Sequence, residues 1–256
     1  VCRVTELQQA VLAKNDHRAD DLRARLAARG TTVVNLLSSP GSGKTALLEA
    51  ELKLAVERGV PVAALTADLA TENDATRLAR AGAPVKQVLT DGLCHLEADM
   101  LAAHLDGWLP DPTRLLFVEN VGNLVCPASY DLGETLRVAL ASVTEGEDKP
   151  LKYPSAFGLA HLVVVTKADL ADAVEFDRDG FLGNVRQVNP GVEVVFTSAR
   201  RGLGVGALLD RALAAHEAGG PAHRPVMASG PQAHGYGHSH HGHSHHSHDH
   251  AHVHTH

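Results

Sequence analysis

The residues most able to do chemistry lie at Ser38-Ser39-Pro40-Gly41-Ser42-Gly43-Lys44-Thr45. The string ends as the phosphate-binding pattern G-x-x-x-x-G-K-[ST], with Ser38 in place of the first glycine. Gly41 and Gly43 let backbone N–H groups approach phosphate oxygens, Ser42 lies between them, and the helix that follows turns its positive end to the same place. Lys44 has the reach for the β- and γ-phosphates, and the Thr45 hydroxyl is placed to ligate Mg²⁺. The alternative, a glycine-rich strand–helix turn, does not explain G-K-T at this position.

Two later strings choose the base. Thr166-Lys167-Ala168-Asp169 resembles the guanine motif N-K-x-D, with Thr for Asn. A carboxylate there accepts hydrogen bonds from guanine N1 and its 2-amino group, an edge that adenine lacks. Thr197-Ser198-Ala199 resembles the S-A motif beside guanine O6. Either string alone is weak; in order, each at a strand end, they favour GTP over ATP. Acids for Mg²⁺ and water positioning fall between the motifs: Asp68, Asp74 and Glu119. Gly122, three residues past Glu119, gives the spacing of the D-x-x-G switch with Glu for Asp, in which the glycine N–H senses a γ-phosphate. Lys44, Asp74 and Glu119 are the candidate catalytic residues, and no arginine finger is evident beside the P-loop.

A second chemistry is carried by sulfur and imidazole. Cys94 and His95 are neighbours, and Cys126 precedes Pro127 shortly after Gly122. Thiolate and imidazole together suit Zn²⁺ and Ni²⁺. Three ligands are too few for a closed structural site, so the set reads as a transfer site or one shared across a dimer. Cys2 lacks a C-x-x-C partner and is assigned no role. Thirteen of the 18 histidines follow Pro221. His238, His240, His241, His243, His245, His246, His248, His250, His252, His254 and His256 alternate with Ser, Gly, Asp, Ala, Val and Thr, unlike a plain tag. Neutral imidazoles bind Ni²⁺, Zn²⁺ and Cu²⁺. A flexible tail of this length has an r.m.s. reach of roughly 33 Å, at about 5.5 Å × √n. Delivery and storage need the same residues.

The elements that must position these groups follow from hydrophobic patterning. Residues 1–30 carry Val4, Leu7, Val11 and Leu12, then Leu22 and Leu26, at helical spacing. They read as a helical arm, charged and unlike a signal peptide. Residues 31–218 alternate apolar, Val-rich runs (Val33–Leu37, Val60–Leu65, Leu115–Val118, Leu162–Val165, Val192–Phe196) with helical stretches, Lys44 to Arg58 and Leu96 to Leu105 among them. That alternation predicts an α/β P-loop NTPase domain with a mainly parallel sheet and helices on both faces. Residues 219–256 hold almost nothing apolar and read as a disordered His-rich tail. The chain has 256 residues and a net charge of −7 with His neutral, against a nucleic-acid binder; no apolar run is long enough for a membrane span. Three cysteines fit a reducing, cytoplasmic setting rather than a disulfide framework.

The string Asn35 to Thr45, the set Asp68, Asn73-Asp74-Ala75 and Arg77, Gly92-Leu93-Cys94-His95-Leu96, Glu119-Asn120-Val121-Gly122-Asn123-Leu124-Val125-Cys126-Pro127 and Thr144 to Lys149 together resemble the HypB family of hydrogenase-maturation GTPases. The resemblance spans about residues 4–217. It implies a GTPase of the signal-recognition/MinD-like class, a homodimer formed with GTP, and an interface metal site of Cys94, His95 and Cys126. It further implies nickel delivery to a [NiFe]-hydrogenase large-subunit precursor, and a HypA-like nickel chaperone met through the arm near Val11 and Leu12. GTP or GDP, Mg²⁺, Ni²⁺ and Zn²⁺ are the expected ligands. Three departures stand out: no N-terminal C-x-x-C-G-C motif, a His stretch at the C-terminal rather than the N-terminal side, and Thr166 for Asn. The urease-maturation relatives, UreG-like, carry Cys-Pro-His at the metal site, whereas here the strings are Cys94-His95 and Cys126-Pro127. A metal-storage protein with a purely structural P-loop is the remaining alternative.

Overall fold

The structure, a computed structural model, describes residues 2–68, 73–90 and 92–229. The side chain of Asp68 and the histidines from His238 to His256 lie outside the described residues. Among the described residues, seven strands form one sheet: β1 (Thr32–Ser38), β2 (Val62–Asp68), β3 (Val85–Leu89), β4 (Leu115–Glu119), β5 (Leu136–Ser142), β6 (Leu162–Thr166) and β7 (Glu193–Phe196), in the order β3-β2-β4-β1-β5-β6-β7. Every pairing is parallel. The carboxyl ends of all strands therefore share one edge, where ligands of open α/β sheets bind.

Among the described residues, eight helices connect and cover the strands: α1 (Cys2–Ala28), α2 (Lys44–Glu57), α3 (Asn73–Ala79), α4 (Ala98–Leu105), the short α5 (Lys149–Lys152) and α6 (Pro154–Gly158), α7 (Arg178–Val188) and α8 (Ala207–Ala218). Strand residues alternate between two faces. Val34, Leu36, Val62, Ala64, Leu115, Phe117, Val138 and Leu140 meet Leu47, Leu48 and Leu52 of α2, Leu78 of α3 and Leu208 and Leu209 of α8. On the opposite face, Val33, Leu65, Leu116 and Val118 meet Leu22 and Leu26 of α1 and Leu101 and Leu105 of α4, while Ala139, Val163 and Val165 meet α6 and α7. Both faces are dry, which is why these strands read as continuous apolar runs rather than alternating ones. Emptying one of the larger positions, as in Phe117→Ala, costs about 3–5 kcal/mol.

Three features differ from the expectation. β3 (VKQVL) and β5 (LRVALAS) lie outside the apolar runs read as strands. β5 is made of good helix formers, Leu, Ala and Arg; it is a strand because it is buried along its whole length between β1 and β6. Its Arg137 is satisfied inside, with Nε donating to Glu134 Oε1 at 2.6 Å and Nη1 to the Ala128 carbonyl at 3.0 Å. The segment read as an arm is one helix whose later part, through Ala19, Leu22 and Leu26, is buried against the domain. The tail boundary drawn at 219 falls early: His223 Nε2 meets Asn189 Oδ1 at 2.7 Å, Pro225 is buried, and Val226–Ser229 forms a 3-10 turn.

Candidate functional site

The phosphate end is assembled from β1, β4 and the start of α2. Gly43 caps α2 with φ 90°, a left-handed backbone that leaves the helix N–H groups aimed outward. Lys44 is buried, and its Nζ donates to the Asn120 carbonyl at 2.5 Å. Leu36 of β1 is in register with Glu119 of β4, which brings Glu119 beneath the P-loop. Thr45 Oγ1 donates to Glu119 Oε1 at 2.6 Å. Burial pushes the Glu119 carboxyl up, and the Lys44 charge opposes this. Among the described residues, Glu119 Oε2 and Ser42 Oγ are buried with no hydrogen-bond partner. A hydroxyl beside a carboxylate with an unused oxygen is the hard donor set of a Mg²⁺ site, so these residues fit that ion. Gly122 passes so close to the P-loop that a Cβ would stand 3.2 Å from Pro40 Cα. The resulting cleft, about 440 Å³, is also lined by Gly41, Asp74, Gly122 and Arg77. The Arg77 guanidinium is held by α2, its Nε donating to Glu49 Oε2.

A second cleft of about 330 Å³ adjoins the first, sharing Gly43, and is lined by Thr166, Lys167, Asp169, Ser198 and Ala199. Thr166 Oγ1 donates to the Ser42 carbonyl, with the Ala141 carbonyl 3.3 Å away, and Lys167 Nζ donates to the Gly41 carbonyl at 2.7 Å. Thr at this position thus ties the motif to the P-loop backbone. Thr197 N donates to the Val165 carbonyl at 2.7 Å and Ala168 N to the Thr197 carbonyl at 2.9 Å, so the ends of β6 and β7 are locked together. A hydrogen bond from Ser198, with the charges of Arg201 and Arg200, holds the exposed Asp169 carboxyl below the usual range.

The thiol–imidazole group stands on two loops at the same sheet edge. Cys94 and Cys126 are both free and half-buried. Cys94 Sγ lies 3.6 Å from His95 Nδ1, and the Cys126 thiol beside it, followed by burial, raises the Cys94 thiol. His95 is 8% exposed; its ring stacks on Tyr130 with centroids 3.8 Å apart. Among the described residues its Nε2 has no hydrogen-bond partner, and it lies 3.5 Å from Glu97 Oε1. Among the described residues no three His, Cys, Asp or Glu side chains are grouped so as to hold a metal ion by themselves. The exposed Leu93 and Val125 are immediate chain neighbours of the two cysteines.

The family model described as the CobW/HypB/UreG nucleotide-binding domain matches residues 32–196. The hydrogenase maturation factor HypB of Escherichia coli (strain K12) is 48% identical over 203 residues, covering 79% of this chain and 70% of that protein. The same factor of Azotobacter vinelandii is 47% identical over 205 residues, 80% of this chain and 67% of that protein. A crystal structure of HypB from Helicobacter pylori in complex with nickel superposes with a TM-score of 0.75 at 35% identity, covering 80% of this chain and 96% of that chain. The chain belongs to the HypB family of hydrogenase maturation factors. The urease-type, UreG-like reading is not favoured.

In this HypB-family protein the structure gathers the nucleotide-motif residues into two joined clefts, and places Cys94, His95 and Cys126 on neighbouring loops. The sequence reading missed Asn120, whose carbonyl receives Lys44, and Asn35, whose amide meets Glu134 Oε1 at 3.4 Å and whose Oδ1 accepts from Asn120 at 3.3 Å. Asn35 lies mid-strand with 0% exposure, and a buried amide in an apolar run is a signal of such a partner. Tyr130 and Asn15 were also missed. Among the described residues no helix is long and apolar enough to cross a membrane.

Proposed function

We propose that this chain is a cytoplasmic GTPase and nickel metallochaperone, coupling the hydrolysis of GTP to GDP and phosphate with the loading of Ni²⁺ into a [NiFe]-hydrogenase large-subunit precursor. One observation carries the reading: the loop from Glu119 to Cys126 begins as a wall of the phosphate cleft and ends at a free thiol beside Cys94 and His95. Nucleotide state and metal ligation share one short segment.

Thr45 and Glu119 would hold Mg²⁺, with Asp74, which lines the same cleft, and Asp68, at the end of β2, to orient water. The ion neutralises charge developing on the phosphates. Lys44 and the backbone N–H groups of Gly41, Ser42 and Gly43 hold the β- and γ-phosphates, and Gly122 is placed to sense the γ-phosphate. Lys167, Asp169, Ser198 and Ala199 read guanine. Cys94, His95 and Cys126 would take Ni²⁺ as cargo, with Zn²⁺ an alternative occupant. Thiolate and imidazole are the right donors, and three of them leave room for ligands from a second copy in a GTP-dependent homodimer. The His-rich run adds a metal reservoir. A HypA-like chaperone would dock on α1 near Val11, which is half exposed, and Leu12. A store with an idle P-loop would not need the guanine cleft.

Competition titration with GTP and ATP, followed by single-turnover hydrolysis, tests the enzymatic half. The expected result is strong preference for GTP and turnover of about 10⁻⁴ to 10⁻² s⁻¹, the range of unassisted GTPases. Equal affinity for the two nucleotides contradicts it.

A further inference from the structure

We propose that Asn15 is a positioning residue for the metal site, a single buried amide on α1 that holds both metal-bearing loops at a fixed spacing. The inference rests on the reading of Cys94, His95 and Cys126 as ligands.

Asn15 sits within the long helix α1, where Asn is a poor helix former and where an unpaired buried amide is costly. It is 6% exposed, and both of its ends are paired, to two different segments. Its Nδ2 donates to the Asp131 carbonyl at 2.8 Å. Its Oδ1 accepts from the Ala98 N–H at 2.9 Å. Ala98 opens α4, so this N–H is one of those a helix start leaves without an intrahelical partner. The segment just before it carries Cys94 and His95.

Asp131 closes the loop that begins at Cys126. Its chain neighbour Tyr130 stacks on His95, so the loop with the second thiol also sets the imidazole plane. Arg23, two turns further along α1, holds the Asp131 carboxylate through Nη2 at 2.6 and 2.8 Å. The helix therefore holds the Cys126 side through Asn15 and Arg23 and the α4 side through Asn15 and the Arg18–Asp99 pair at 3.4 Å, and Asn15 hydrogen-bonds to both. A shift of α1 at Asn15 moves the two loops, and the donor atoms on them, relative to each other. Outer partners that orient metal ligands commonly carry about 10–100-fold of metal affinity.

The test uses the full chain and the thiolate-to-Ni²⁺ charge-transfer absorption, which reports sulfur ligation and is silent to imidazole-only sites on the His-rich run. Ni²⁺ is titrated against a competing chelator, and GDP affinity is measured in parallel. For Asn15→Ala the expected result is a loss of Ni²⁺ affinity of about tenfold or more, with an altered band and GDP affinity within twofold of wild type. Asn15→Asp keeps an acceptor for Ala98 N–H and removes the donor to Asp131; it should alter the same band at unchanged GDP affinity. An Asn15→Ala titration that overlays wild type overturns the inference, as does a parallel loss of GDP affinity, which marks a merely structural amide. If the wild-type protein shows no thiolate band, the metal-site reading fails first and takes this inference with it.

Discussion

The two chemical ends of the molecule are built to different degrees of completion. At the nucleotide end, hydrogen bonds close the site within one chain. Thr166 and Lys167 hold the carbonyls of Ser42 and Gly41, Thr45 and Lys44 are tied to Glu119 and Asn120, and Asp169 rests on Ser198. At the thiol end, the donors come from two loops, the His95 Nε2 has no hydrogen-bond partner among the described residues, and exposed Leu93 and Val125 adjoin the cysteines. The first end is organised to grip a ligand that arrives alone. On the proposed reading, the second is completed by a further surface, as suits a site that takes up and releases cargo.

The largest effects should separate the two ends completely. Lys44→Ala should abolish GTP turnover while leaving thiolate-reported Ni²⁺ binding to the GDP-free protein intact. Cys94→Ala or Cys126→Ala should abolish the thiolate band and leave GDP affinity within about twofold, since neither thiol lines a nucleotide cleft. A cysteine variant that loses nucleotide binding would break the comparison.

A smaller effect lies within the base cleft. Asp169→Asn converts part of an acceptor edge into a donor. It should weaken GDP by roughly a hundredfold, the scale of charge-assisted hydrogen bonds, and move preference toward xanthine nucleotides, read by competition titration. Unchanged GDP affinity would show that the base lies elsewhere.

The smallest separation is one of pH. Thiol ligands must lose their protons to bind metal, and Cys94 is raised by its neighbour Cys126. Lowering the pH from 8 to 6 protonates the ligands further, so Ni²⁺ affinity at the thiolate site should fall by about tenfold or more. Asp169 is displaced the other way, below the usual carboxylate range, and stays ionised across that window. GDP affinity should stay within about threefold over the same range. Parallel pH curves for the two ligands would contradict the separation.

Legibility in the sequence followed the same division. The nucleotide end was readable because its motifs are local: glycines, Lys44, Thr45 and the Thr166–Asp169 string each sit at one strand end, and their spacing carries the chemistry. The parallel sheet was readable from Val-rich runs buried on both faces, while β5 was hidden because its Leu, Ala and Arg composition favours helix and only the neighbouring strands decide otherwise. The thiols were readable as residue types. What was not readable is what holds them: Asn15, Tyr130 and the Glu134–Arg137 pair act through contacts between distant segments, such as Asn15 with Asp131. A single Asn in a charged helix carries no periodic signal that it is buried. Arg77 was quoted as part of a motif, but its place in the phosphate cleft depends on how α3 packs beside α2.

The central claim is that the segment from Glu119 to Cys126 makes the two ends exchange free energy. Linkage requires that nucleotide state shift Ni²⁺ affinity by the same factor that Ni²⁺ shifts the preference between nucleotides. The most direct measurement is a pair of Ni²⁺ titrations of the full chain, followed through the thiolate band, with GDP and with a non-hydrolysable GTP analogue, at protein concentrations where a dimer forms. The account predicts isotherms separated by about five- to 150-fold, the usual scale of coupling between sites, and loss of the separation together with the band in Cys126→Ala. Superimposable isotherms in the wild-type protein would contradict the coupling and leave a GTPase and a metal site that merely share a chain.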